Sequence, residues 1–376
     1  MKRVWIGTVV IITVVAVIAI FNNYTGQAAG EKTVRIGGAF ALSGFGSGWG
    51  EVERNAAILA IEEANGNGGI NGRKIELIVE DIASSNTKTV SAVSKLINVD
   101  KVGVILGPSW LDTFNSASPL SDENKVVMIT PSASITAIKS EKNYSYIFST
   151  WYSPDREAEA LVKYIEKMGA KRVVFIFQDD PYWQDLTGYL KTQLKLSNLE
   201  LREDFKIKPE ETDFRTVLLK TKSLQPDAIV FGTTGEQSLL SFLQQRAVIY
   251  PESMLFTMTY IEEFAFKDNY KGLLENVNYP SPQQPDSNFS EKYEKRFGKK
   301  PVFSASNSYD AANMIIAAMK EGNMDAESIR TYLLTKTFTT ITFGEARFDE
   351  NGGLVGGNFV NKRVKNNTIE IVAENT

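Results

Sequence analysis

Val102-Gly103-Val104-Ile105-Leu106 is a short run without a charged or polar side chain, set between two stretches of helical period. Upstream, Thr87 to Asn98 places Val90, Val93, Leu96 and Ile97 on one face. Downstream, Leu111 to Asn124 reads as a helix and Val126 to Ile129 as the next strand. An apolar run of this length between helices fits a strand buried on both faces of a parallel sheet. The same rhythm extends towards the N-terminus. Thr33 to Gly37 alternates as a strand, and Glu51 to Asn65 carries Val52, Ala56, Leu59 and Ala60 at helical spacing. Gly66 to Gly72 is dense in turn formers, and Lys74 to Asp81 is a strand.

The pattern restarts after Tyr146. Helices are expected over 156–168, 183–196, 214–223 and 237–246, and strands over 172–177, 199–205, 228–232 and 254–258. This amounts to two α/β units in tandem. A Pro-rich stretch, Pro280 to Pro285, precedes two more helices near 308–320 and 326–334. The C-terminal part changes character. Segments 346–348, 357–363 and 368–372 read as antiparallel strands joined by turns at Asn351-Gly352-Gly353 and Asn366-Asn367.

The chain has 376 residues, no cysteine, no histidine and a formal net charge of −4. These zeros exclude disulfides, thiolate nucleophiles, a lipid-bearing N-terminal cysteine, a Ser-His-Asp triad and His-ligated metal. Mild acidity gives no reason to expect nucleic acid. No catalytic residues, metal ligands or cofactor are assigned. Gly44-Phe-Gly-Ser-Gly-Trp-Gly50 lies where a dinucleotide fingerprint would, but position 49 is Trp rather than the required third Gly. It is read as a ligand-contacting loop with Trp49 as a wall, or as a flexible helix start. The acidic pairs Asp179-Asp180 and Glu262-Glu263 are read as solvated. Gly107-Pro108-Ser109-Trp110 and Thr130-Pro-Ser-Ala-Ser134 each follow an apolar strand. Ligands bind beyond the carboxyl ends of strands in open α/β sheets, and hydroxyls with free amides there cradle a carboxylate. Ser and Thr are also ordinary helix caps, and the residues alone leave both open.

At the N-terminus, Met1-Lys2-Arg3 precedes an uncharged run from Val4 to Phe21, with small residues at Gly26-Gln27-Ala28. A cleaved signal peptide and a retained membrane anchor both fit, and both export the chain. It is expected outside the cytoplasm, in the periplasm or on the outer face of the membrane.

Several of these segments, taken in order, resemble the extracellular substrate-binding proteins of ABC transporters for branched-chain amino acids and amides, the leucine/isoleucine/valine-binding group. The carriers include Ala60-Ile-Glu-Glu-Ala-Asn65, Gly68-Gly-Ile-Asn-Gly-Arg73, Val79-Glu-Asp81, Gly107-Pro-Ser109, Thr130-Pro-Ser-Ala-Ser134, Gly169-Ala-Lys-Arg-Val173, Gln225-Pro-Asp-Ala228 and Arg347-Phe-Asp-Glu-Asn-Gly352. The resemblance runs from Lys32 to about Phe359. It implies an α/β fold of two Rossmann-like lobes joined by a three-crossing hinge, the type I periplasmic-binding-protein fold, preceded here by an apolar N-terminal helix. Residues 1–30 would form the leader or anchor with its linker. Residues 31–147 and 279–345 would form lobe I, and 148–278 and 346–376 lobe II.

The resemblance further implies a ligand carboxylate held by Ser109, Ala133 and Ser134, with Ser132 in the same turn. Trp49 and Tyr182 match the family's aromatic contacts, and Trp110, Thr234 and Tyr260 complete the candidate site. The family's acid after the strand matching Leu255–Met258 is missing, since the stretch reads Thr257-Met-Thr-Tyr260-Ile261. Threonine also replaces a tyrosine near Gly232-Thr-Thr234. Either Glu236 or Glu262 then takes a ligand ammonium, or the ligand is not an α-amino acid. The implied function is capture of a small carboxylate-bearing ligand, a branched-chain or related amino acid, by a monomer that closes on it and serves an ABC permease. A membrane-tethered sensor acting through a signalling partner is the alternative, and a carboxylate-based enzyme the third reading.

Overall fold

A computed structural model of the protein describes residues 33–135, 144–265, 267–282 and 287–374. The apolar segment 4–21 lies outside them. Among the described residues no helix is long and apolar enough to cross a membrane.

The first lobe is built on an eight-stranded sheet. Strands β1 (Val34–Phe40), β2 (Ile75–Asp81), β3 (Val104–Leu106), β4 (Val127–Thr130) and β5 (Ile147–Tyr152) are parallel, in spatial order β2-β1-β3-β4-β5. β3 is fully buried, as its composition requires. Between these strands run α1 (Ser47–Gly66), α2 (Asn86–Asn98) and α3 (Leu111–Glu123). Three late strands extend the same sheet: β11 (Thr337–Thr340), β12 (Gly344–Phe348) and β13 (Gly353–Gly356), with β13 parallel to β5. Helices α8 (Ser287–Phe297), α9 (Phe303–Lys320) and α10 (Ala326–Thr335) also belong here. Ala57, Ala60 and Ala64 of α1 share a core with Ala311, Ala312 and Ile315 of α9.

The second lobe repeats the order. Strands β6 (Arg172–Gln178), β7 (Glu200–Ile207), β8 (Ala228–Gly232), β9 (Met254–Phe256) and β10 (Val277–Pro282) are parallel and lie in the order β7-β6-β8-β9-β10. β14 (Phe359–Lys365) and β15 (Thr368–Glu374) add an antiparallel hairpin, turned by Asn366 and Asn367 in the left-handed region. Helices α4 (Pro154–Lys167), α5 (Pro181–Leu194), α6 (Arg215–Ser223) and α7 (Glu236–Ile249) cover it. The chain passes between lobes three times: after β5, after β10 and between β13 and β14.

The boundaries differ from those expected. β5 stays in the first sheet as far as Tyr152, and β10 belongs to the second. Ala346–Phe348, expected to cap lobe II, lies in the first sheet instead. The cause is packing: the Phe348 ring meets Phe148 edge-on at 5.2 Å and Phe338 at 6.2 Å. The proline-rich stretch is a strand as far as Pro282. β9 pairs with β10 only as far as Asn278, so Pro280 and Pro282 need no donor on that side while β14 pairs on the other. Helix α8 was not anticipated, since little more than Phe289 and Tyr293 marks it as buried.

Gly68–Arg73 folds as a tight turn. Ile70 and Arg73 exchange backbone hydrogen bonds of 2.9 and 3.0 Å, with Asn71 and Gly72 at positive φ. A Cβ at Gly69 would lie 2.1 Å from the Arg73 carbonyl oxygen. Glycine there is a requirement of the backbone, and Ile70 is buried beneath it.

Candidate ligand-binding cleft

Strand order reverses between β1 and β3 in one sheet and between β6 and β8 in the other. Such switch points leave a crevice past the carboxyl ends of the strands. The loops leaving these strands carry most of the candidate site.

On the first lobe, Asp81 holds the loop after β1. It accepts from the Leu42 and Ser43 N–H groups at 2.9 and 3.2 Å and from Ser43 Oγ at 2.6 Å. Ser84 Oγ accepts from the Gly46 N–H at 3.1 Å. The glycine-rich segment is therefore fixed where it enters α1. α1 approaches β1 closely, since a Cβ on Gly50 would sit 2.2 Å from the Ala41 carbonyl oxygen. Trp49 and Glu53 lie one turn apart, and Trp49 Nε1–H donates to Glu53 Oε1 at 2.8 Å. Ser109 Oγ donates to Glu53 Oε2 at 2.5 Å.

Trp110 adopts φ +45°, a conformation costing on the order of 1–3 kcal/mol in a non-glycine residue. Its N–H donates to Ser132 Oγ at 3.0 Å and its ring lies 5.3 Å from Phe45. Thr130 Oγ1 donates to the Pro108 carbonyl at 2.7 Å, tying the two loops together. Ser149 Oγ donates to the Ala133 carbonyl at 2.6 Å, while the Ala133 N–H has no partner among the described residues. Ser134 is buried beside it. The structure thus gathers Trp49, Ser109, Trp110, Ser132, Ala133 and Ser134 on one wall.

On the second lobe, Gln178 at the end of β6 organises the opposite wall. Its Nε2 donates to Thr234 Oγ1 at 2.9 Å, and its Oε1 accepts from Thr233 Oγ1 at 2.8 Å and the Thr234 N–H at 3.2 Å. Asp180 caps α5 by accepting from the Trp183 N–H at 3.1 Å. Tyr182, the next candidate, sits edge-on to Trp183 at 5.0 Å, and Tyr260 does so at 5.8 Å. Thr257 Oγ1 and the Thr233 N–H donate to the Tyr260 hydroxyl at 3.2 and 3.4 Å. Burial pushes that phenol up to about 12.

Two residues that the sequence reading passed over stand out. Glu53 and Glu157 are both fully buried. Burial raises the Glu53 carboxyl to about 7, with hydrogen bonds from Ser109, Ser132 and Trp49 pulling the other way. Burial raises Glu157 to about 7 as well, against hydrogen bonds from Tyr152 and Tyr182. Their signal was a carboxylate on a helix face that points inward. Glu53 precedes Ala57, Ala60 and Ala64, and Glu157 precedes Leu161 and Ile165, all buried. When ionised, Glu53 accepts the hydrogen bond that the Ser109 O–H donates. When protonated, it leaves that hydroxyl able to donate to an anionic ligand.

The acids expected to receive an ammonium are engaged elsewhere. Glu236 pairs with Lys267 at 2.9 Å on the exposed surface, and Glu262 pairs with the buried Lys362 at 2.6 Å. Of the residues read as simply solvated, Asp179, Asp180 and Glu262 instead have partners, Asp179 accepting from Lys206 at 3.1 Å and Gln184 at 2.9 Å.

Asp310, a third buried acid, is also raised to about 7 by burial, against hydrogen bonds from Thr342 and Ile341. All three carboxyls bind a proton more tightly folded than unfolded. Their contribution is full below the unfolded values of 4.5 and 3.8 and is lost as pH rises through about 7. The melting temperature of the ligand-free protein is therefore expected to fall between pH 5 and pH 8. Glu53→Gln should flatten that slope, as read by thermal unfolding followed by circular dichroism. An identical slope in the variant would count against a buried Glu53 carboxyl.

A family model described as periplasmic binding protein matches residues 33–366. The Leu/Ile/Val-binding protein BraC3 of Rhizobium johnstonii is 30% identical over 203 residues, 53% of this chain and 54% of that protein. The chain thus spans about half the length of that first relative. The leucine-, isoleucine-, valine-, threonine- and alanine-binding protein of Pseudomonas aeruginosa is 25% identical over 355 residues, 91% of this chain and 92% of its own. Among solved structures, the branched-chain amino acid transporter substrate-binding protein LivJ of Streptococcus pneumoniae, in complex with isoleucine, superposes with a TM-score of 0.79. It is 23% identical and covers 91% of this chain and 99% of its own. Two mostly parallel sheets, each with a switch point, three crossings and a match over nearly the whole described chain agree: the chain belongs to the periplasmic binding protein family.

Proposed function

We propose that the protein is an extracytoplasmic solute-binding protein, and not an enzyme. It captures a small carboxylate-bearing ligand, a branched-chain or related amino acid, and delivers it to the permease of an ABC importer. The observation that carries this reading is the placement of hydroxyls, and of an amide with no partner among the described residues, at one switch point, facing aromatic side chains at the other. The Ala133 N–H supplies a donor for a carboxylate, and so does Ser109 Oγ once Glu53 is protonated and releases it. Trp49, Tyr182 and Tyr260 supply apolar and aromatic surface for the side chain. Closure about the three crossings excludes water and strengthens each of these contacts. The monomer is the working unit, and the closed form is what the permease meets.

Relatives named for binding leucine, isoleucine and valine support this class of ligand. A signalling role for a tethered sensor finds no support among them. Whether residues 4–21 anchor the chain or are removed is decided by N-terminal sequencing of the native protein. A start near Ala29 would end the anchor reading.

A thermal-shift screen of amino acids, their amides and small aromatic acids tests the proposal. At least one branched-chain amino acid at millimolar concentration should raise the melting temperature. No shift with any class would refute it. Ser109→Ala, which removes only the hydroxyl, should lower affinity for that amino acid roughly 10-fold, the worth of one hydrogen bond to a charged group. Calorimetric titration reads the change, and unaltered affinity would place Ser109 outside the site.

A further inference from the structure

We propose that Glu157 is the residue that receives the ligand's ammonium group, in place of the acid missing after β9. This rests on the solute-binding reading above and narrows its ligand to one carrying both a carboxylate and a primary ammonium.

Glu157 stands in the first turn of α4, directly after the first crossing. Its carboxyl joins the two lobes: Tyr152 Oη, from the end of β5 in the first sheet, donates to Oε1 at 2.9 Å. Tyr182 Oη, from the start of α5 in the second lobe, donates to Oε2 at 2.9 Å. Two neutral hydroxyls are thus its hydrogen-bond donors, and no lysine or arginine pairs with it among the described residues. A fully buried carboxylate with no cation is costly, and the usual remedies are a paired charge or a retained proton. Each oxygen of the carboxylate still has a lone pair free after accepting from its tyrosine, so an ammonium with three N–H donors can be bound without breaking either bond.

The surroundings suit a cation. Trp151 stacks on Tyr152 at 4.9 Å, and Trp49 lies 6.3 Å from Trp151. Aromatic faces attract ammonium groups through their quadrupoles. Glu236 and Glu262, the other acids considered, already hold lysines. Glu157 is the buried acid between the lobes that lacks a counter-charge and has tyrosines from both sides. Glu53, on the opposite wall, is committed to Ser109 and Trp49.

The test compares each branched-chain amino acid with the same molecule lacking its amino group: leucine with 4-methylpentanoate, isoleucine with 3-methylpentanoate, valine with 3-methylbutanoate. Calorimetric titration is run on the full chain and on Glu157→Gln, which keeps the shape of the side chain. For the tightest of the three amino acids, the wild-type protein should prefer it over its deaminated counterpart by about 100-fold or more, the scale of an unpaired buried charge. Glu157→Gln should lose about as much affinity for the amino acid and less than about 3-fold for the counterpart. That selective loss separates ammonium contact from a structural role, which would weaken both ligands alike. Equal losses for both, or an amino-acid affinity left within about 3-fold, would overturn the assignment. Should the variant fail to fold, the wild-type comparison decides by itself. Counterparts bound as tightly as amino acids would overturn the role of Glu157 and leave the solute-binding reading standing. A protein that binds neither set would remove both.

Discussion

Trp183→Ala should lower the stability of the protein by about 3–5 kcal/mol and weaken ligand binding with it. The Trp183 side chain is only 1% exposed. Its ring stacks on Phe177 at 5.3 Å with an interplanar angle of 14° and supports Tyr182 and Tyr260 edge-on. The sheet makes room for it at Gly232, where a Cβ would come within 2.2 Å of the indole. Truncation would leave a cavity beneath two candidate cleft residues. One term runs the other way. The indole N–H is buried with no hydrogen-bond partner among the described residues, so its removal recovers on the order of 1–3 kcal/mol of desolvation. Trp183→Phe keeps most of the ring and discards that donor, and should cost under about 2 kcal/mol. Urea unfolding followed by circular dichroism orders the two variants. An alanine variant as stable as the phenylalanine one would show that lobe II collapses around the gap.

The second large effect lies at the hinge. Lys362 on β14 is 1% exposed, donates to Glu262 Oε1 at 2.6 Å and to Ser281 Oγ at 2.8 Å. Glu262 follows β9, and Ser281 lies on β10 just before the second crossing. One ammonium therefore ties three segments where the chain changes lobes. Lys362→Met should cost about 3–5 kcal/mol, because it strands the mostly buried Glu262 carboxylate without a counter-charge. Adding Glu262→Leu to that variant should recover much of the loss, since an apolar pair of similar volume avoids burying either charge. Strict additivity of the two single changes, measured by urea unfolding, would show that the pair is not coupled.

The backbone was largely legible because its signals are local. Apolar β3 between two amphipathic helices, the turn at Gly68–Arg73 and the Asn366-Asn367 hairpin each follow from a few adjacent residues. The lobe boundaries were harder. Whether Phe348 joins Phe148 in the first sheet or pairs with β14 depends on contacts between residues far apart in sequence. Pro280 and Pro282 argued against a strand, and only the short reach of β9 makes one possible. At the candidate site the hydroxyl loops could be placed from their positions after strands. Glu53 and Glu157 could not, because glutamate on a helix normally faces water. Only their register with the alanine and leucine stripes of α1 and α4 sets them apart. The expectation that Glu236 or Glu262 was available failed for a similar reason, since Lys267 and Lys362 reach them through the fold.

The central claim is that the two walls close on a small amino acid. Small-angle X-ray scattering of the protein with and without leucine, isoleucine and valine at millimolar concentration tests it most directly. At least one of the three should reduce the radius of gyration as the lobes close. Scattering curves that superpose with all three would contradict the account.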